Sequence, residues 1–417
     1  VRSLDQLIRD LDARLAAADH ELAARYPGDR GTRQPVHTVY VPADRYDAGT
    51  VPTWGRQAIA VLEEYGGGPA GFADVLDLPP DLAAEVYERV HAKLGAEPIE
   101  DLRIDFEDGY GARSDADEDA TVTAAAAALA RSLADGIAAP FHGIRFKSFE
   151  APTRARGVRT LHRFVGELAA AGALAEGFAV TLPKVTSVDQ VLAMVHACTG
   201  VEEAHGLPHG TLRFEIQVET PQSVLGLDGT ALVARMIHAA DGRCSGLHYG
   251  TYDYSASCGI AAEYQSMEHP AADHAKAIMQ VAAAGTGVFV SDGSTNVLPV
   301  GDRDAVHAGW RLHARLVRRS LERGFYQGWD LHPAQLPSRF AATYAFYREG
   351  LPGAGARLRA YLGGGDSAFL DEPATATALA GFVLRGVECG AVDEAEVEEL
   401  VSADLARLAG LARRQQA

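Results

Sequence analysis

Residues 213–221 read Arg213-Phe214-Glu215-Ile216-Gln217-Val218-Glu219-Thr220-Pro221, and the contrast between their two faces bears directly on the fold. Successive side chains of a strand point to opposite sides. Phe214, Ile216 and Val218 therefore share one side, and Glu215, Gln217 and Glu219 share the other. Three polar residues on one face do not suit a simple hydrophobic layer. Thr220-Pro221 breaks the strand, so Glu219 stands last, at its C-terminal end.

Outward from this stretch, strand-like apolar runs alternate with helix-length segments. The runs are Val36–Val41, Leu102–Phe106, Gly143–Phe146, Phe178–Leu182, Leu212–Val218, Gly246–Tyr249, Gly287–Val290 and Tyr326–Leu331. Segments rich in Ala, Leu, Arg and Glu lie between most of them, at Ala120–Leu133, Gly157–Ala170, Ser187–Cys198, Ala231–Ala240, Ala271–Ala284 and Asp304–Arg323. Strands joined through helices run parallel. An open doubly wound sheet competes with a closed barrel here. Charged residues end at least five strands: Asp108, Lys147, Lys184, Glu219 and Asp253. A barrel gathers such ends around one mouth, whereas an open sheet spreads them along a line. The expected fold is therefore α/β, a single (β/α)₈ TIM barrel at 36–346. An N-terminal helical segment (1–35) precedes it and a C-terminal helical extension (347–417) follows. In the first segment Leu4, Leu7, Ile8, Leu11 and Leu15 fall at helical spacing. The first crossover, Pro42 to Asp101, is long and should hold extra helices at Trp54–Tyr65 and Pro80–Leu94. After Phe346 the pattern changes to a glycine run, Gly363–Gly365, then two helices and a charged tail.

Composition narrows the function classes. The 417 residues are 47% hydrophobic and 23% charged, with a net charge of −18. That balance opposes nucleic-acid binding, which needs a basic face, and offers no polybasic segment to a membrane. No apolar stretch reaches the length of a membrane span. The four cysteines are scattered, which argues for reduced thiols in a cytoplasmic protein. The charged opening (Arg2, Asp5, Arg9, Asp10) does not read as a secretory signal.

Candidate chemistry gathers at the strand ends. The strand after Glu219 closes in Gly250-Thr251-Tyr252-Asp253. Adjacent strands lie roughly 4.8 Å apart, so Glu219 and Asp253 can converge on one cation. Two carboxylates with open positions suit Mg²⁺ or Mn²⁺. Either acid alone reads equally well as a helix cap. Arg145, inside a strand, is a buried ion-pair partner or a fork for a carboxylate or enolate oxygen. Lys184 could do similar work, pair with Glu219, or form a Schiff base. Asp105, Glu107 and Asp108 offer a general base, a partner for Arg145, or a capping loop. Asp115–Asp119 reads as a solvated first helical turn. Gly66–Gly71 matches GxGxxG but follows a helix and contains Pro69, which rejects a dinucleotide site. Polar residues of 291–296 and 330–335 either line the mouth or bond backbone.

Taken in order, these motifs resemble the citrate lyase β-subunit / HpcH–HpaI aldolase family of the phosphoenolpyruvate/pyruvate barrels. The matching stretches are Asp105–Asp108, Gly143–Phe146, Leu182–Val185, Gln217–Thr220, Gly250–Gly259 and Leu331–Gln335, within 36–346. The resemblance implies a homo-oligomeric lyase with Mg²⁺ or Mn²⁺ at Glu219 and Asp253. It implies substrate binding by Arg145 and the Gly250-Thr251-Tyr252 turn, and an enolate formed from a small 2-oxo or hydroxy acid. Catalytic candidates are then Arg145, Lys184, Glu107 and Asp108, with Asp108 as base or water-orienting group. Two departures mark a divergent branch. The aldolases' catalytic His is replaced by Glu107-Asp108. The Lys that meets CoA phosphate is replaced by the acidic run 114–119, which disfavours a CoA thioester. An acyl-CoA-dependent or malate-synthase-like enzyme is thus the first alternative, and a catalytically silent binding barrel the second.

Overall fold

The computed structural model describes residues 3–363 and 372–413. Val1-Arg2, Gly364-Gly365 of the expected linker, and the last four residues of the charged tail lie outside them.

Eight parallel strands form the barrel: β1 (His37–Pro42), β2 (Asp101–Asp105), β3 (Phe141–Arg145), β4 (Phe178–Leu182), β5 (Arg213–Val218), β6 (Cys244–Tyr249), β7 (Phe289–Ser291) and β8 (Gly328–Asp330). Their order is β7-β6-β5-β4-β3-β2-β1-β8. The β7–β8 edges meet at one parallel bridge, Ser291 to Gln327, helped by Asp292 N–H donating to the Gln327 carbonyl at 2.9 Å. All eight expected strands are present, displaced by a few residues at their ends. Phe214, Ile216 and Val218 are fully buried on the helix side of β5. Glu215, Gln217 and Glu219 turn into the barrel, as their alternation requires.

The barrel interior is ionic rather than a stack of aliphatic layers. Arg103 on β2 donates to Glu215 on β5 at 2.7 Å and also pairs with Asp101. His248 on β6 lies 3.2 Å from Glu215. Outside the barrel, between β1, β8 and the helices that cover them, Asp330 is bound by His37 (2.7 Å), His313 (3.0 Å) and Arg339 (2.9 Å). Buried charges of this kind must be matched. Burial alone would raise the Asp330 pKa, but Arg339, His313 and His37 hold it well below the carboxylate range. One backbone position is fixed by closeness: a Cβ on Gly143 would stand 1.7 Å from the Ala179 carbonyl oxygen across the β3–β4 pairing.

Next to it, His142 is 2% exposed and is held neutral, its pKa pushed down to about 4 mainly by burial. Its unfolded value is near 6.5, so between these values the unfolded chain binds the extra proton. Stability should therefore fall as pH drops from about 6.5 to about 4, by on the order of 1 kcal/mol per unit. Urea unfolding across that range should show the slope, and His142→Leu should remove this residue's share. An equal slope in both proteins would contradict the assignment.

The first crossover carries helices at Thr50–Tyr65, Gly68–Leu76 and Ala83–Ala96, one more than expected. The first helix of the molecule, Leu4–Arg25, is capped by Ser3 and buries no residue. The chain then crosses the base of the barrel, with Gly28 N–H on the Gly285 carbonyl at 2.8 Å. One helix, Leu336–Gly363, runs through the change of pattern at Phe346. Among the described residues three helices follow rather than two: Pro373–Glu388, Glu394–Val401 and Leu405–Ala412. Among the described residues no helix is long and apolar enough to cross a membrane.

The acidic run overturns one expectation. Glu118 is fully buried and Asp119 is 8% exposed, so this turn is not simply solvated. Glu118 meets Lys147 at 2.9 Å and Thr160 at 2.7 Å, and Asp119 meets Arg156 at 2.6 Å and also Arg159. The helix Arg154–Ala170 supplies the neutralising arginines.

Candidate functional site

At the C-terminal mouth, side chains from five strand ends meet. Lys184 is their hub. It follows Pro183 with φ of 52°, a left-handed conformation that a lysine adopts at some cost. This bend lets its N–H donate to Glu219 Oε1 at 2.6 Å while Nζ turns to Asp253 Oδ2, also at 2.6 Å. The same ammonium lies 3.2 Å from Asp108 and 3.4 Å from Glu107. Burial would lower its pKa, but Glu219, Glu107, Asp253 and Asp108 raise it, so the amine stays protonated. That state cannot attack a carbonyl, which counts against a Schiff base.

Glu219 is 1% exposed, and its Oε2 accepts from the Gln217 amide. Burial pushes its pKa up to about 8, against the pull of Lys184 and Arg145. Gly250 leaves it room: a Cβ there would lie 2.5 Å from Glu219 Cβ and 2.8 Å from Oε2. Asp253 stands in the first turn of the short helix Thr251–Ser257, half exposed. Glu219 and Asp253 thus come together through Lys184.

Arg145 reaches the mouth with most of its fork already engaged. Its Nε and Nη2 donate to the two Asp105 oxygens, both at 2.7 Å. The remaining Nη1 faces Glu107 and Gln217, each at 3.5 Å, and the guanidinium lies 4.7 Å from the Tyr40 ring centre. Asp105 is therefore the Arg145 partner. Glu107 is 8% exposed, and burial, reinforced by Asp108, moves its pKa up to about 7 despite Arg145 and Lys184. The Asp108 side chain is half exposed.

Three expected residues do other work. Thr251 Oγ1 accepts from Ser294 N–H at 3.2 Å, and the Tyr252 hydroxyl accepts from Asn296 N–H at 2.5 Å. Both side chains pin the 294–296 loop rather than present a hydroxyl to the mouth. Lys147 turns outward to Glu118 and the Phe106 carbonyl. Gln335 accepts from Leu331 N–H at 2.7 Å and His332 accepts from Ala334 N–H, which is the backbone-bonding role open to them. The supporting lattice Asp101-Arg103-Glu215-His248 went unread in the sequence. Its signal was present, because Asp101, Arg103 and Asp105 alternate along β2 as the acids do along β5.

The donors at the mouth suit a hard dication. Glu219 and Asp253 offer oxygen only, and the buried Glu219 carboxylate lacks the charge balance its burial requires. Among the described residues no group of three or more His, Cys, Asp or Glu is arranged to hold a metal. A cation here would have two protein ligands and take the others from water or substrate. A cavity of about 750 Å³ opens at the opposite end, between Arg30, Arg213 and His248. Barrel chemistry belongs to the C-terminal mouth, so this cavity is set apart from the candidate site.

Comparison with known proteins finds distant structural similarity. A Haloferax volcanii malate synthase, solved as a lead(II) complex, is 15% identical over 92% of this chain and 89% of its own, with TM-score 0.49. CitE from Mycobacterium tuberculosis, in complex with magnesium, acetoacetate and coenzyme A, is 18% identical over 86% and 99%, with TM-score 0.48. An HpcH/HpaI aldolase/citrate lyase family protein from Burkholderia cenocepacia is 16% identical over 65% and 89%, with TM-score 0.35. No curated protein matches the chain. Residues 15–416 match the profile described as Domain of unknown function (DUF6986), and the chain belongs to that family.

Proposed function

We propose that this protein is a divalent-metal-dependent carbon–carbon lyase of the aldol type, acting on a small 2-oxo or hydroxy acid through an enolate. One observation carries the reading: among the described residues five carboxylates, Asp105, Glu107, Asp108, Glu219 and Asp253, gather around two cations, Arg145 and Lys184. A mouth so short of positive charge favours a dication together with the anionic substrate it carries. Glu219 and Asp253 would hold Mg²⁺ or Mn²⁺, which when bound supplies positive charge to an enolate oxygen.

The chain's own groups have separate tasks in this reading. Arg145, kept in place by Asp105, presents Nη1 to the substrate's negative oxygen. Lys184 holds Asp253 and Glu107 in register. Glu107 is the better proton carrier than the solvent-facing Asp108, since it is enclosed between Arg145 and Lys184. The family motifs in β2 to β6 support the same chemistry. The test is aldol cleavage of 4-hydroxy-2-oxo acids, with released pyruvate measured by a coupled assay. Mg²⁺-dependent pyruvate release, abolished by chelator, is the expected outcome. No release across a panel of chain lengths would refute the aldol version.

A second reading, a CoA-thioester-dependent lyase or condensing enzyme, is favoured by one finding. Glu118 and Asp119 are neutralised by Lys147, Arg156 and Arg159, so the run after β2 repels a nucleotide phosphate less than its sequence suggested. Saturable binding of acetyl-CoA by calorimetry would select this reading over the first.

A further inference from the structure

The helix Leu4–Arg25 leaves the barrel with its apolar side uncovered. Leu4 is 71% exposed, Leu15 52% and Leu22 61%, and no residue of the helix is buried. The chain is anchored only after it, where Tyr26 meets the His238 ring at 5.3 Å. The larger apolar residues follow alternating steps of four and three, Leu4, Ile8, Leu11, Leu15, Ala18, Leu22, with Leu7 beside them at the start. This is a heptad seam, with Ile8, Leu15 and Leu22 at a and Leu4, Leu11 and Ala18 at d. A packed globular helix usually has a broader apolar face, whereas a narrow seam fits one partner helix.

We propose that a second copy of this chain covers the seam with the same helix, as a parallel two-stranded coiled coil. Charge decides the orientation. The e positions are Asp5, Asp12 and Asp19, and the g positions are Leu7, Arg14 and Glu21. Antiparallel pairing brings e against e, which opposes Asp12 to Asp12 and Asp5 to Asp19. Parallel pairing brings g against the following e, which joins Arg14 of each copy to Asp19 of the other. Neither Arg14 nor Asp19 has an ion pair or side-chain hydrogen bond among the described residues, so both are available. Among the a positions Ile8 is β-branched, and with Leu4 and Leu11 at d it favours two strands in the N-terminal half of the helix. The 22 residues span about 33 Å, enough for three heptads.

Sedimentation equilibrium of the full chain at micromolar concentration tests this. A dimer is expected, reduced to monomer by Leu11→Glu/Leu15→Glu with thermal unfolding of the barrel unchanged, because both side chains are about half exposed on a helix that buries none of its residues. Arg14→Glu should weaken the dimer roughly tenfold, and adding Asp19→Arg should restore it. Ala18→Cys, in a Cys258→Ser background that removes the exposed native thiol, should form an 18-to-18 disulfide. A monomeric wild type, or a dimer indifferent to the leucine replacements, overturns the proposal. A trimer overturns the two-stranded form, and absence of the disulfide overturns the parallel one.

Discussion

Arg145→Met is expected to lower the unfolding free energy by about 3–5 kcal/mol and to abolish turnover. Arg145 is 6% exposed and Asp105 1%, and the two share a pair of 2.7 Å hydrogen bonds. Removing the guanidinium leaves Asp105 a buried acid without its cation and Glu107 with Lys184 alone. Asp105 keeps N–H donors from Glu107 at 3.0 Å and Gly109 at 2.9 Å, which places the loss nearer the lower figure. Adding Asp105→Asn should recover part of the stability, because the more deeply buried charge is then gone and Glu107 keeps Lys184 at 3.4 Å, yet no activity. Urea unfolding of both variants beside an activity assay separates the structural from the chemical role. Wild-type stability in Arg145→Met would show that the pair does not balance the mouth.

Glu219→Gln should have the opposite profile. The replacement has the same shape and is neutral, and a neutral group suits a site 1% exposed to solvent. Stability should therefore stay within about 1 kcal/mol of wild type or rise. Metal binding and turnover should collapse, the latter by at least roughly 100-fold. Calorimetric titration with Mn²⁺ checks the metal binding and thermal unfolding the stability. Unaltered Mn²⁺ affinity would remove Glu219 from the ligand set.

The repeating pattern of the fold was legible because it depends on local periodicity. The two faces of 213–219 alone placed Phe214 toward the helices and Glu219 at the mouth. Eight such runs separated by helical segments left few arrangements. The site was legible as a set of residues, because Glu107, Asp108, Arg145, Lys184, Glu219 and Asp253 do stand together. Their pairings were legible only as alternatives: an acid of 105–108 for Arg145, and Glu219 for Lys184. Lys184 becomes the hub only through a left-handed backbone after Pro183, which no spacing announces. The Arg145 fork is filled by Asp105 on the neighbouring strand, through the register Asp105 to Arg145. The acids at 118 and 119 looked solvated because their arginines come from a helix some forty positions later. Long-range charge pairing of this sort leaves no trace in local pattern.

The central claim, metal-dependent enolate formation at the Glu219–Asp253 mouth, is tested most directly by proton exchange. Pyruvate in D₂O with the protein and Mg²⁺ or Mn²⁺ is followed by the NMR signal of its methyl protons. Loss of that signal only with metal present, and its persistence with Glu219→Gln, is the predicted result. A methyl signal that stays constant with wild-type protein, metal and each of several 2-oxo acids would contradict it.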